Sequence, residues 1–352
     1  MSDLSVLQEG RSAKHRARRR RRRVLATGLV LLVVLTVAAL LTLHAGRTAG
    51  PGAAALRRPP RPRTPQPVVV HSRPIKPTYG VDAAPASERV SFHKTFHVAS
   101  AILFDVWTGR VLWSQSPGSE RPIASLTKMM TALLVASSTG ARDPVMITRQ
   151  AVQFSGSGVG LLPLGKHVPA LSLLYGLLLP SGNDAAIALA QHVAGSVQRF
   201  VALMNARARD MQLNCTHFAS PSGIVDRNNY SCTTDLAVLA HAVLQQPMLS
   251  PIVASRTAVI RFPIKGGKLY LYNNNPLLLA RYPGTDGVKT GYTRAAGPCL
   301  VATVRRGKAW LGAVLLDSVN PAAEAQKLFN AGFAKRGLRH DAQEHGARDL
   351  CV

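Results

Sequence analysis

Ser125-Leu126-Thr127-Lys128 runs straight into Met129-Met130-Thr131-Ala132-Leu133-Leu134-Val135, and two more short motifs follow in order, Ser181-Gly182-Asn183 and Lys289-Thr290-Gly291. Ser125–Ser138 reads as one helix, apolar nearly all round as suits a buried central helix, with Gly140 just past its end. Positions i and i+3 share a helix face, so Ser125 and Lys128 touch if Ser125 opens that helix. A serine hydroxyl is a poor nucleophile until a base removes its proton. Lys128 can be that base only if burial or a neighbouring cation lowers its pKa. The apolar helix supplies burial, and Lys289 is a candidate cation.

Each motif also has a plainer reading. Lys128 alone reads as an exposed lysine near a helix start. Ser181 or Asn183 alone reads as the N-cap of a helix over 184–193. The other reading of Ser181 is a proton relay between Lys128 and a leaving amine, and of Asn183 an amide that pairs with a peptide-like substrate. Lys289, Thr290 and Gly291 fall on a predicted strand. There, an edge beside the site pairs with an extended substrate, Lys289 and Thr290 hold a carboxylate, and Gly291 admits close approach of the substrate.

Around this core the strand signals are Ala99–Val106 and Val111–Ser114, a hairpin turning at Thr108-Gly109. Helices are predicted over Leu171–Leu179, Asp184–Val193, Val197–Met211 and Thr234–Gln245. Five strands follow between Ala258 and Leu316, and a last helix covers Ala322–Phe333. The order strand, helices, strands, helix predicts an α/β (α+β) fold, an antiparallel sheet flanked by helices. No histidine sits in a hydrolase elbow, and His192 reads as structural or surface. No metal-ligand cluster, cofactor motif or phosphate loop is recognisable, so no cofactor is expected.

The 352 residues carry a net charge of +26, unevenly placed: residues 1–89 hold 17 Lys/Arg against 4 Asp/Glu. The run Arg18–Arg23 precedes Val24–Leu43, twenty residues without a charge, long enough at about 1.5 Å per residue to cross a bilayer. The organisation expected is a basic cytoplasmic tail (1–23), a transmembrane signal anchor (24–43), a Pro/Arg-rich linker (44–95), a catalytic domain (96–337) and a polar, disordered tail (338–352). The basic flank places the domain outside the cytoplasm. A signal cleaved near Ala45-Gly46 is the alternative, giving a secreted or periplasmic protein, and a twin-arginine signal is a further one. Next to an apolar span the arginine run does not read as a nucleic-acid site. Of four cysteines, Cys215 and Cys232 lie in a turn-rich stretch of an outward-facing domain and are expected to pair. Cys299, in an apolar strand, is expected to be a buried free thiol.

Beyond the three motifs, Ala101–Leu112, Pro122–Leu134, Leu177–Ala186, Met204-Asn205, Asn275–Leu278 and Gly284–Thr293 give the chain its resemblance. It resembles the low-molecular-mass penicillin-binding proteins, the serine-type D-alanyl-D-alanine carboxypeptidases. The resemblance implies a β-lactamase/transpeptidase-like fold with a helical subdomain. It implies Ser125 as nucleophile on peptidoglycan stem peptides and Lys128 as general base. Ser181 and Asn183 would assist proton transfer and alignment. Lys289, Thr290, Gly291 and Tyr292 would line the substrate site, with the backbone N–H groups of Ser125 and Tyr292 as oxyanion hole. β-Lactams would acylate the same serine. Two departures stand out. Asn320-Pro321-Ala322-Ala323-Glu324 lacks the arginine that relatives often carry near the substrate's terminal carboxylate, which brings in a D,D-endopeptidase of cross-links. The β-rich C-terminal domain of many relatives is also missing. A class A β-lactamase needs a glutamate between the second and third motifs, and there is none between Asn183 and Lys289. A catalytically silent peptidoglycan binder would require loss of a catalytic residue, and none is lost.

Overall fold

The computed structural model describes residues 79–92, 96–160 and 162–338 and the backbone of 350–351. The basic tail, the apolar span at 24–43 and most of the proline-rich stretch lie outside the described residues. Among the described residues no helix is long and apolar enough to cross a membrane.

In chain order the strands are β1 (Asp82–Ala83), β2 (Val98–Asp105), β3 (Arg110–Gln115), β4 (Arg121–Pro122), β5 (Pro144–Met146), β6 (His167–Pro169), β7 (Tyr230–Ser231), β8 (Thr257–Arg261), β9 (Lys268–Tyr272), β10 (Thr285–Thr293), β11 (Gly297–Arg306), β12 (Ala309–Ser318) and β13 (Leu350–Cys351). The helices are α1 (Lys128–Ser138), α2 (Arg149–Val152), α3 (Ala170–Leu178), α4 (Asn183–Ala194), α5 (Val197–Asp210), α6 (Thr233–Leu244), α7 (Ser250–Ala254), α8 (Pro276–Leu279) and α9 (Pro321–Lys335).

The main sheet has the order β1-β3-β2-β12-β11-β10, antiparallel except where β1 joins β3. Successive side chains of a strand point to opposite faces, and the registers Val301↔Val314 and Val314↔Ile102 build one face while Leu300↔Leu315 and Leu315↔Ala101 build the other. The first face packs on the helical body around α1 and α6, the second on α9. Leu328, Phe329 and Phe333 of α9 are fully buried there, each worth about 1.5–3 kcal/mol against exposure. α1 lies at the centre of the helical body, against α3, α4, α5 and α6, which is why its sequence is apolar all round. α4 ends at Gly195, whose φ of +74° is the left-handed turn that glycine adopts without strain.

Three boundaries differ from those read in the sequence. The folded unit includes residues 79–92: β1 pairs with β3, Ala84 is buried, and Tyr79 stacks on His241 at 3.6 Å. Proline and charge gave that stretch the composition of a linker, but its few apolar residues find the sheet edge. The central helix begins at Lys128, because Ala124–Thr127 forms a 3₁₀ turn with Ala124 at φ +47°. At the other end, Leu350–Cys351 pairs in parallel with β8 at Ala258 and Val259, inside a tail read as disordered.

Candidate active site

The 3₁₀ turn brings Ser125 three residues ahead of α1, where the helix presents unpaired N–H groups and positive partial charge. Ser125 is half-buried and Lys128 fully buried. Lys128 Nζ donates to Ser125 Oγ at 2.8 Å, to Asn183 Oδ1 at 2.7 Å and to the Ser222 carbonyl at 2.7 Å. The Asn183 amide is oriented by its far end, whose Nδ2 donates to Ser155 O at 2.5 Å. Desolvation, and next the charge of Lys289, hold Lys128 well below the usual lysine range, while Asp184 acts in the opposite sense.

This arrangement decides where a neutral Lys128 aims its lone pair. A neutral amine has two N–H groups and one lone pair. The Ser222 carbonyl and Asn183 Oδ1 can only accept, so they take both N–H groups. The lone pair is left facing the Ser125 hydroxyl, which then donates. A protonated lysine would instead be a buried cation without an ion pair, costing several kcal/mol.

Asn183 is the first residue of α4 and Gly182 its N-cap; neither Ser181 nor Asn183 caps the helix with its side chain. The Asn183 amide is committed to Lys128 and Ser155 instead. Ser181, at φ +68°, holds its hydroxyl buried, with no hydrogen-bond partner among the described residues. Such a hydroxyl loses the stabilisation of a normal pairing and is available to an incoming group.

Lys289 is fully buried on β10, and burial lowers its pKa to about 7. Its Nζ donates to Thr290 O at 3.0 Å. By strand alternation Lys289, Gly291 and Thr293 share the sheet face that meets the helical body, with Thr290 and Tyr292 on the other. β10 is the last strand of its sheet. Gly291 is crowded by the turn bearing Ser125. A Cβ there would lie 2.9 Å from Ile123 O and 3.2 Å from Ser125 N, so its missing side chain lets the strand touch the turn bearing Ser125. Tyr292 is 69% exposed.

A strap over residues 215–232 forms the third wall, closed by a disulfide between Cys215 and Cys232 with Cα atoms 5.8 Å apart. Besides Ser222 O, it offers Pro221 O to Thr131 Oγ1 at 2.6 Å, Asn229 Nδ2 to Thr127 Oγ1 at 3.0 Å and Asp226 Oδ1 to Thr293 Oγ1 at 2.7 Å. The pairing of Cys215 with Cys232 is the one expected from the sequence; the contact of Ser222 with Lys128 is not legible there, because it is made by a main-chain carbonyl. Cys299 is a free buried thiol, its pKa pushed up to about 11 by burial. His192 is exposed on α4.

Comparison with known proteins gives a consistent result. Residues 86–320 match the Peptidase_S11 family, D-alanyl-D-alanine carboxypeptidase. D-alanyl-D-alanine carboxypeptidase DacF of Bacillus subtilis is 32% identical over 244 residues, 67% of this chain and 62% of that protein. The D-alanyl-D-alanine carboxypeptidase of Streptomyces sp. (strain K15) is 34% identical over 245 residues, 64% of this chain and 84% of that protein. The crystal structure of the Streptomyces K15 DD-transpeptidase superposes with a TM-score of 0.65 at 31% identity, covering 69% of this chain and all of that one. The chain thus spans less than two thirds of the Bacillus relative and nearly all of the smaller Streptomyces enzyme.

Proposed function

The chain belongs to the D-alanyl-D-alanine carboxypeptidase family, and on that premise we propose that it is a serine D,D-peptidase trimming peptidoglycan stem peptides through an acyl-enzyme on Ser125. The observation that carries the reading is the three-way grip on Lys128, which leaves its lone pair only the Ser125 hydroxyl. Ser125 Oγ attacks the carbonyl carbon of the penultimate D-alanine, and its proton passes to Lys128. The C–N bond breaks. The departing D-alanine amine receives a proton by way of Ser181, a reading supported by its buried hydroxyl, which has no hydrogen-bond partner among the described residues. Water then attacks the ester and frees Ser125.

The oxyanion would lie between the backbone N–H groups of Ser125 and Tyr292. The close approach of Gly291 to Ser125 N supports that pairing. Lys289 would hold the substrate's carboxylate from the face of β10 that meets the helical body, Thr290 would meet the substrate through its backbone, and the edge of β10 would pair with the substrate's main chain. β-Lactams acylate the same serine. Substrate and inhibitor chemistry rest on Ser125, Lys128, Ser181, Asn183 and β10 together, with no cofactor required.

A second reading, a D,D-endopeptidase, rests on the first turn of α9. Asn320 caps it by accepting from Ala323 N at 3.1 Å, and Pro321 follows, with no arginine between 320 and 324. Mass spectrometry of muropeptides incubated with the purified protein decides. Pentapeptides that lose one D-alanine carry the proposal; cross-linked dimers falling to monomers carry the second reading. Absence of both, with no fluorescent-penicillin labelling, overturns the two together.

We further propose that residues 24–43 anchor the protein in the membrane with the domain outside. The support is twenty uncharged residues behind a block of six arginines. Recovery of a soluble extracytoplasmic protein beginning near Gly46 would show a cleaved signal instead.

A further inference from the structure

Asp184 follows the Ser181-Gly182-Asn183 motif directly and is 1% exposed. Both of its carboxylate oxygens accept from Val159 N, each at 2.9 Å, and Oδ1 also accepts from Ala185 N at 2.8 Å. The segment reached through Val159 is the one whose carbonyls grip Asn183. Ser157 O accepts from Asn183 N at 2.8 Å, and Ser155 O from Asn183 Nδ2. The Val159 side chain closes over two glycines. A Cβ on Gly182 would lie 2.6 Å from Val159 Cγ2, and one on Gly176 would meet the same atom.

We propose that Asp184 is a positioning residue for acylation: its carboxylate latches segment 155–160 onto the Ser181–Asn183 turn, and through that segment holds the Asn183 amide against Lys128. The chain of contact is Asp184 to Val159, Ser155 to Asn183, Asn183 to Lys128, and Lys128 to Ser125. A side chain without an acceptor releases Val159 N and leaves Asn183 free to turn, and Lys128 loses one of the two acceptors that aim its lone pair.

The carboxylate has a second, separable effect. Its hydrogen bonds go to main-chain N–H groups, so it does not pair with Lys128, yet its charge opposes the lowering of the lysine's pKa. Among the described charged groups on the elements packed against α1 and the turn before it, Asp184 on α4 and Lys289 on β10 act on Lys128. Asp235 on α6 is engaged by Cys215 N and Thr216 Oγ1, and Tyr175 on α3 and His241 on α6 are held neutral by burial. Removing the negative charge therefore moves Lys128 further down.

The proposal rests on the D,D-peptidase reading for its chemistry, but its latch is testable without it. Asp184→Ala, which removes both acceptor oxygens and the charge, should in the full-length chain lower the plateau rate of fluorescent-penicillin acylation at least tenfold. It should also displace the acid limb of the pH–rate profile to lower pH, which a general loss of packing would not do. Hydrogen exchange at the Val159 amide should quicken in the variant. In the wild-type chain that amide should exchange far more slowly than those of Lys265 and Gly266 in the exposed turn after Pro263. Wild-type plateau and limb in the variant overturn the proposal. So does wild-type exchange at Val159 as fast as in that turn, a result that decides even if the variant fails to fold. A wild-type chain that no penicillin acylates removes the D,D-peptidase reading and leaves the latch to the exchange measurement.

Discussion

Lys128 Nζ and the main-chain carbonyl of Ser222 lie 2.7 Å apart although 94 residues separate them in the chain. This contact ties Lys128 to a strap that the fold lays across the start of α1. A carbonyl cannot be deleted by a side-chain change, so its position is held by whatever holds the strap. That is the Cys215–Cys232 disulfide at its ends and the Thr131, Thr127 and Thr293 hydrogen bonds along its length.

Opening the disulfide should therefore act on chemistry as well as stability. A closed loop of this size contributes about 3 kcal/mol in the chain-entropy treatment. The paired Cys215→Ser and Cys232→Ser variant should melt several degrees lower and acylate more slowly with penicillin, and reductant should do the same to the wild-type chain. Calorimetry and stopped-flow labelling measure the two effects. A lower melting temperature with an unchanged acylation rate would mean the hydrogen bonds alone hold the strap.

Ser125→Ala should abolish covalent penicillin labelling with the fold intact, as read by mass spectrometry and circular dichroism. Lys128→Arg should be nearly as damaging, by about 10³-fold or more, because a guanidinium keeps its proton. In the wild-type chain acylation should rise with pH through the lowered Lys128 pKa, since only the neutral amine accepts the Ser125 proton. The arginine variant should lack that rise.

Gly291→Ala tests whether the strand must touch the turn bearing Ser125. The new methyl would meet two main-chain atoms, Ile123 O and Ser125 N, and backbone yields less readily than a side chain. Overpacking of this kind costs about 1–3 kcal/mol. Denaturant titration should show that loss, and the acylation rate should fall at least tenfold as Ser125 shifts. Wild-type values for both would show that the turn adjusts freely.

Burying Lys289 should cost stability in a pH-dependent way. Its folded pKa, about 7, lies below its unfolded value of about 10.4. Between those values the unfolded chain binds more protons, so stability rises with pH across the window, and the penalty is complete below about pH 7. Lys289→Met should thus raise the melting temperature by several degrees at pH 6 and by less at pH 9.5, while substrate turnover is lost. An equal shift at both pH values would contradict a neutral buried amine.

The sequence by itself determined the order of elements and the three motifs. Each rests on local rules: alternation in Ala99–Val106, an apolar helix after Lys128, a strand through Lys289. It also placed Ser125 and Lys128 within reach, since three residues span either kind of helical turn. Tertiary structure alone decided what those residues touch. Residues 79–92 have the composition of a linker and became part of the sheet because an unpaired edge of β3 accepted them. Ser181 and Asn183 suit a helix cap equally well by type, and the buried amine of Lys128 with the Ser155 carbonyl takes the Asn183 amide instead. The room at Gly291 went to the Ile123–Ser125 turn, which no local pattern specifies. The grip of Ser222 on Lys128 leaves no trace in side-chain identity, because every residue carries the same carbonyl and only long-range packing selects which one faces the lysine.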